Sequence, residues 1–209
     1  MPKIGLKYFV CAPLKETPPP NASVSHDNGF VLAEAISADI SNTMVEAQLY
    51  ADDATSESIK QFGSAAITLN GNNIKFEHMA ILFGHKVETR NGVKEMVSKS
   101  GDDGTYVGVG FYAVETLKGI SKYSARWYHK VKFGTPNETF NTKGDSITFQ
   151  TPTIVGTGMA DVLGVWRDAA EFTDENKVRE WLNEKAGISS DSGATDSGGD
   201  SDSGGLYDE

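Results

Sequence analysis

Apolar and polar residues alternate with a period of two along most of this chain, and two short stretches switch to the three-and-four spacing of a helix. In residues 30–40, FVLAEAISADI, Phe30, Leu32, Ile36 and Ile40 fall on one face of an expected strand. Val45, Ala47 and Leu49 alternate with Glu46, Gln48 and Tyr50 in a second strand, and Ala65, Ile67 and Leu69 mark another. Between these, residues 51–63, ADDATSESIKQFG, are polar, acidic at their start and without clear periodicity, and they read as a loop. Residues 86–89 and 93–98 flank Asn91-Gly92, the strongest short hairpin signal. Residues 106–114, YVGVGFYAV, are almost continuously apolar, as in a strand buried on both faces, in a core or against another subunit. Gly108 and Gly110 inside it mark a bulge or a close backbone approach. In residues 123–133, Tyr123, Ala125, Trp127, His129, Val131 and Phe133 form one face, while Ser124, Arg126, Tyr128, Lys130 and Lys132 form a basic, solvated or interfacial one.

The first helical stripe is Phe76, Met79, Ala80 and Phe83, with a start near Asn70-Gly71-Asn72-Asn73 and a stop at Gly84. The second spans residues 173–187, with Thr173 as its cap, Asp174 and Glu175 in the first turn, and Val178, Trp181, Leu182 and Ala186 as its apolar stripe. Residues 142–157, TKGDSITFQTPTIVGT, read as a strand pair or one kinked strand. Ile147 and Phe149 alternate with polar residues until Pro152, which cannot donate to a ladder and forces a bend, a bulge or a sheet edge. At the N-terminus an apolar segment stops at Thr17-Pro18-Pro19-Pro20, an expected extended connector. The pattern therefore predicts a mainly β protein, a β-sandwich or barrel-like fold with one or two short flanking helices. Residues 1–20 are expected to be an extended N-terminal arm and 21–188 the body. Residues 189–209 are Ser, Asp and Gly with little to bury, an expected disordered acidic tail.

Charge narrows the function classes. The 209 residues carry a net charge of −10, but six of the 29 acids and none of the 19 bases follow Ile188, which leaves a net −4 before it. A protein that grips nucleic acid shows a basic excess, and this one does not. Cys11 is the single cysteine, so no intramolecular disulfide is available, and a buried structural thiol is expected. The short apolar run at residues 8–14 lacks the long core and cleavage site of a signal peptide, and no run approaches a membrane span, so a soluble protein of a reducing cytoplasm is expected. Asp102-Asp103 and the acidic tail do not complete a calcium loop, and His26, His78, His85 and His129 share no ligand spacing. Phosphate-loop and nucleophile-elbow patterns are absent as well. Asp52-Asp53 reads as a solvated pair, and His129 as a core histidine. No cofactor, metal or catalytic residue is expected.

Four segments together resemble one family: IGLKYFVCAPL at 4–14, AISADISNTMVEAQLYADDATSES at 35–58, ILFGHKV at 81–87 with YVGVGFYA at 106–113, and RWYHKVKFGTPNETFNTKGDSITFQTPTIVGT at 126–157. In order and spacing they are similar to the major tail proteins, or tail tube proteins, of long non-contractile-tailed bacteriophages. The tail after residue 188 departs from that family's ending. The resemblance implies a tail tube fold, assembly into stacked hexameric rings, and a lumen for double-stranded DNA and the tape measure protein. It implies tail terminator and distal tail proteins as further partners, and a virion tail assembled in the host cytoplasm. Expected contacts between subunits or rings are Tyr8 and Phe9 of the arm, Tyr50, Asp52, Asp53, Glu57 and Lys60 in and beside the acidic loop, and Pro152. Two alternatives are the tube protein of a contractile injection system and an acidic β-sandwich hydrolase.

Overall fold

The computed structural model describes residues 3–51, 54–117, 119–137 and 151–188. In chain order the elements are β1 (Lys3–Thr17), β2 (Ser23–His26), β3 (Phe30–Ala33), β4 (Ala35–Ala51), β5 (Ala54–Gly71), α1 (Phe76–Phe83), β6 (Lys86–Arg90), β7 (Val93–Val97), β8 (Val107–Leu117), β9 (Ile120–Phe133), β10 (Thr153–Met159), β11 (Arg167–Phe172) and α2 (Glu175–Ala186). Hydrogen-bonded neighbours run β2-β1-β8-β9-β10-β5-β4, with β11 beside β9 and β3 beside β1. Only Glu34 separates β3 from β4, so the pairing passes from β1 to β8, β9, β10, β5 and β4 and returns through β3 to β1. The result is an antiparallel barrel. Alternation along each strand sends one set of side chains inward, among them Phe9, Cys11, Ile67, Leu69, Val107, Val109, Phe111, Val131 and Ile154. Ile74, Leu82 and Phe83, in and just before α1, join this interior. Burial pushes the Cys11 thiol far above its ordinary range, so it stays protonated and inert.

A second layer lies outside the barrel. Val10, Ala12, Tyr112, Ala125 and Trp127 point away from the interior and are covered by Val178, Leu182 and Ala186 of α2. Strand β8 is thus buried on both faces, as its unbroken apolar run predicts. Its glycines make the room. A Cβ on Gly108 would lie 2.3 Å from Trp127 Cζ2, and one on Gly110 would lie 2.6 Å from Trp127 Cε3 and 2.8 Å from Leu182 Cδ2.

Two bulges set which face each side chain takes. In β1 the register shifts between Lys7 and Val10, where Tyr8 adopts φ 64, a left-handed conformation that is uncommon for an aromatic residue. Leu6 and Phe9, three residues apart, therefore both face the interior, while Tyr8 packs outward with the α2 layer. In β9 Tyr128 pairs with Val109 and Val131 with Val107, so β9 holds one extra residue. Trp127 consequently faces α2 while Tyr128, Val131 and Phe133 face the interior. The single-face pattern expected for residues 123–133 is corrected by this extra residue, which alternation alone does not reveal.

Other expectations are also revised. Residues 3–17 are extended but are no arm: β1 lies between β8 on one side and β2 and β3 on the other, and its centre is core. The prolines after it turn the chain into β2 rather than separating an arm from a body. The expected strand over 30–40 breaks at Glu34, because β3 pairs with β1 and β4 pairs with β5. The expected loop over 51–63 is mostly strand, since β5 begins at Ala54 and pairs with β4 throughout. Helix α1 has Lys75 at its N-cap position and no side-chain cap, while Asn72 instead accepts from the Glu34 and Asn73 amides. Helix α2 is capped by Asp174, whose side chain accepts from the Asn176 amide, and not by Thr173. Both helices end on left-handed glycines, Gly84 and Gly187, as expected. Asn91 and Gly92 both have positive φ in the β6–β7 hairpin. The first part of the 142–157 ribbon and the tail from Ser189 lie outside the described residues.

Candidate functional site

The β4–β5 hairpin is the feature that the barrel does not account for. Strand β10 pairs only with residues 65–70 of β5, so residues 44–51 of β4 and 54–62 of β5 run on as a two-stranded ribbon. At about 3.3 Å per residue, the β4 part extends about 25 Å. Two strands alone are marginally stable in water. The ribbon begins at a bulge, where Thr43 pairs with Ser64 and Met44 with Phe62, leaving Gly63 as the extra residue. A side chain at Gly63 would crowd Val45 Cγ2 at 3.0 Å.

Register gives the ribbon two unlike faces. Val45 shares one with Gln61 and Ile59, and Val45 and Ile59 are 61% and 49% exposed. Met44 and Glu46 share the other with Phe62 and Lys60. There Lys60 Nζ lies 3.3 Å from Glu46 Oε2, and Phe62 stacks on Trp166 with ring centroids 4.0 Å apart, fixing the ribbon's base to the body. The outer edge of β4 has no strand partner among the described residues. Its sequence, AISADISNTMVEAQLYA, contains no Lys, Arg or Pro, residues by which edge strands often discourage pairing, and its only charges are Asp39 and Glu46.

The sequence-predicted contact residues separate into three groups. Tyr50, Glu57 and Lys60 belong to the ribbon, and Asp52 and Asp53 lie between its strands, outside the described residues. Pro152 sits just ahead of β10 and its carbonyl accepts from the Gly71 amide at 3.3 Å. Phe9 is corrected outright: at 1% exposure it is a core residue, placed there by the β1 bulge. Tyr8 is engaged within the chain, since its hydroxyl donates to Asn183 Oδ1 at 2.7 Å and the Arg179 guanidinium lies 5.2 Å over its ring.

The remaining polar clusters are clasps within the chain. Lys130 pairs with Glu16 at 2.5 Å, Lys132 pairs with Asp103, and both ammonium groups lie over the Tyr106 ring. Asp102 accepts from His85 Nδ1 and from the Lys99 amide, and the amide in particular holds its carboxyl below the usual range. At the foot of α2, Glu175 accepts from the Tyr112 hydroxyl at 2.6 Å and pairs with Lys7 at 3.0 Å. These two partners depress the Glu175 carboxyl, while burial and then the carboxylate push Tyr112 up to about 12.

A cleft of about 510 Å³ opens between β2, β9 and α2, lined by His26, Trp127, His129, Asp161, Trp181 and Lys185. Asp161 Oδ1 accepts from the Leu163 and Val165 amides and Oδ2 lies 2.9 Å from His129 Nδ1, so this carboxylate is occupied by its own turn. Asp168 Oδ2 lies 3.0 Å from His129 Nε2, off the line that a hydrogen bond requires, and 2.6 Å from Lys185 Nζ. Burial works against the charged form of Asp168, yet Lys185 and His129 outweigh it and lower the carboxyl. His129 therefore bridges β11 and the 161–165 turn through these two carboxylates, a role its place on an alternating strand does not signal. Among the described residues no cluster of three or more His, Cys, Asp or Glu is arranged to hold a metal ion, and no helix is long and apolar enough to cross a membrane. No protein-family model matches this chain, and no curated protein matches it.

Proposed function

We propose that this chain is a self-assembling tail tube subunit, which forms stacked hexameric rings whose shared β wall encloses a conduit for double-stranded DNA and the tape measure protein. The observation that carries the proposal is the β4–β5 ribbon, which combines an edge without a strand partner among the described residues, an exposed apolar face and too few strands to be stable alone. Each of these properties is a liability in a monomer and a joint in a ring. A neighbour's strand satisfies the free amides and carbonyls, and the apolar face loses its water. The four segments that resemble tail tube proteins support the same reading, and one of them, residues 35–58, spans β4 and the start of β5. The clefts support it indirectly, because their carboxylates are taken up by internal partners. Sedimentation velocity over a concentration series tests it. The expected outcome is a discrete ring-sized species or a polymer that grows with concentration; a single monomer boundary at every concentration overturns the proposal.

A further inference from the structure

We infer that the outward face of β10, β5 and the first half of β4 is the wall of the bore, an inference that rests on the tube reading above. The face is set by register. Rows such as Ser41–Ala66–Thr157 and Asp39–Thr68–Val155 run across the three strands and point away from the barrel interior, while Ile40, Ile67 and Ile154 in between point into it. The outward residues are short, and most carry a hydroxyl or an amide. Lys60 is the only base in the three strands, and it lies on the opposite face of the ribbon beside Glu46. The other side of the barrel is closed by α2.

Two physical arguments place this face at the axis. If the β4 edge joins a neighbour side by side, the sheets continue from subunit to subunit, with every barrel body behind the wall and every hydroxyl-bearing face in front. A ring offers more room at larger radius, so the bodies take the outside and the thin, short-chained face takes the inside. A passage for a polyanion must also not hold it. Each phosphate neutralised by a fixed cation adds affinity by releasing counterions; the three strands bring no cation to this face, and Lys132, which continues the Ser41–Ala66–Thr157 row on β9, is paired with Asp103. The hydroxyls of the face instead keep a layer of water between the duplex and the wall.

Cysteine labelling tests the assignment, using Ser41→Cys and Thr157→Cys on the wall and Glu180→Cys on the exposed side of α2, with Cys11 buried in the background. Dissociated protein reacts at all three positions with a small maleimide and with a polyethylene glycol maleimide too bulky to enter the bore. In assembled tubes Ser41→Cys and Thr157→Cys are expected to keep the small-reagent reaction and to lose the bulky one, down to the level of the parent protein, while Glu180→Cys keeps both. Bulky labelling of the two wall positions in tubes overturns the inference. So does loss of both reagents there, which makes the face a subunit contact. If the parent protein forms no tubes, the tube reading fails and the bore falls with it; tubes that label wrongly sink the bore assignment alone.

Discussion

On one side of the barrel the outward residues of β1, β8 and β9 are Val10, Ala12, Tyr112, Ala125 and Trp127, and α2 covers them with Val178, Leu182 and Ala186. On the other side the outward residues of β4, β5 and β10 are mostly Ser and Thr, no described element covers them, and the two longest strands run on into an exposed ribbon. The same wall is thus finished within the chain on one side and left open on the other. On the proposed reading the closed side holds stability and the open side holds association, so substitutions on the two should separate folding from assembly.

The closed side should break most. Leu182→Ala removes a fully buried anchor of α2 and is expected to cost about 2–5 kcal/mol, read from the urea midpoint. Gly110→Ala adds a methyl group where Trp127 and Leu182 already stand within 3 Å, and overpacking of this kind costs about 1–3 kcal/mol. Acid should act on the same side. Burial holds His26 below its ordinary 6.5, so the unfolded chain binds a proton first. That contribution is fully present above pH 6.5 and is lost as pH falls from there through the lower folded value. A second loss follows in the carboxylate range, where Asp168 and Glu175 are depressed. Unfolding midpoints across pH check both steps; burial also lowers His78, so His26→Gln should shrink the first step and keep the second. The smallest effect on folding is expected on the open side. Val45→Asp with Ile59→Asp should change monomer stability by no more than about 0.5 kcal/mol while abolishing assembly, since both side chains face water in the isolated chain.

Much of the closed side was legible in the sequence. The unbroken apolar run of β8, its two glycines, the α2 stripe and the glycine helix stops all carry local signals that tertiary packing reinforces. The open side was harder to read for the same reason that it is open. Strand β5 begins ATSESIK, a run with polar residues in both alternating sets, so its alternation vanishes and it reads as a loop. Strand β1 was obscured by the prolines after it, which suggested a detached arm, and by the Tyr8 bulge, which reverses the inward set midway. The carboxylate contacts of His129 join residues more than thirty positions apart, a separation no local pattern encodes. Strand β11, RDAAEF, offers only alanines and Phe172 to the hydrophobic pattern, and its pairing with β9 supplies what the side chains do not.

The central claim is that the open side of the barrel is completed by further copies of the same chain. Negative-stain electron microscopy of the concentrated protein tests it most directly. The account predicts rings with a central hole and their stacks into tubes of uniform width, absent from the Val45→Asp, Ile59→Asp variant. Monodisperse single subunits in every field and at every concentration would contradict it.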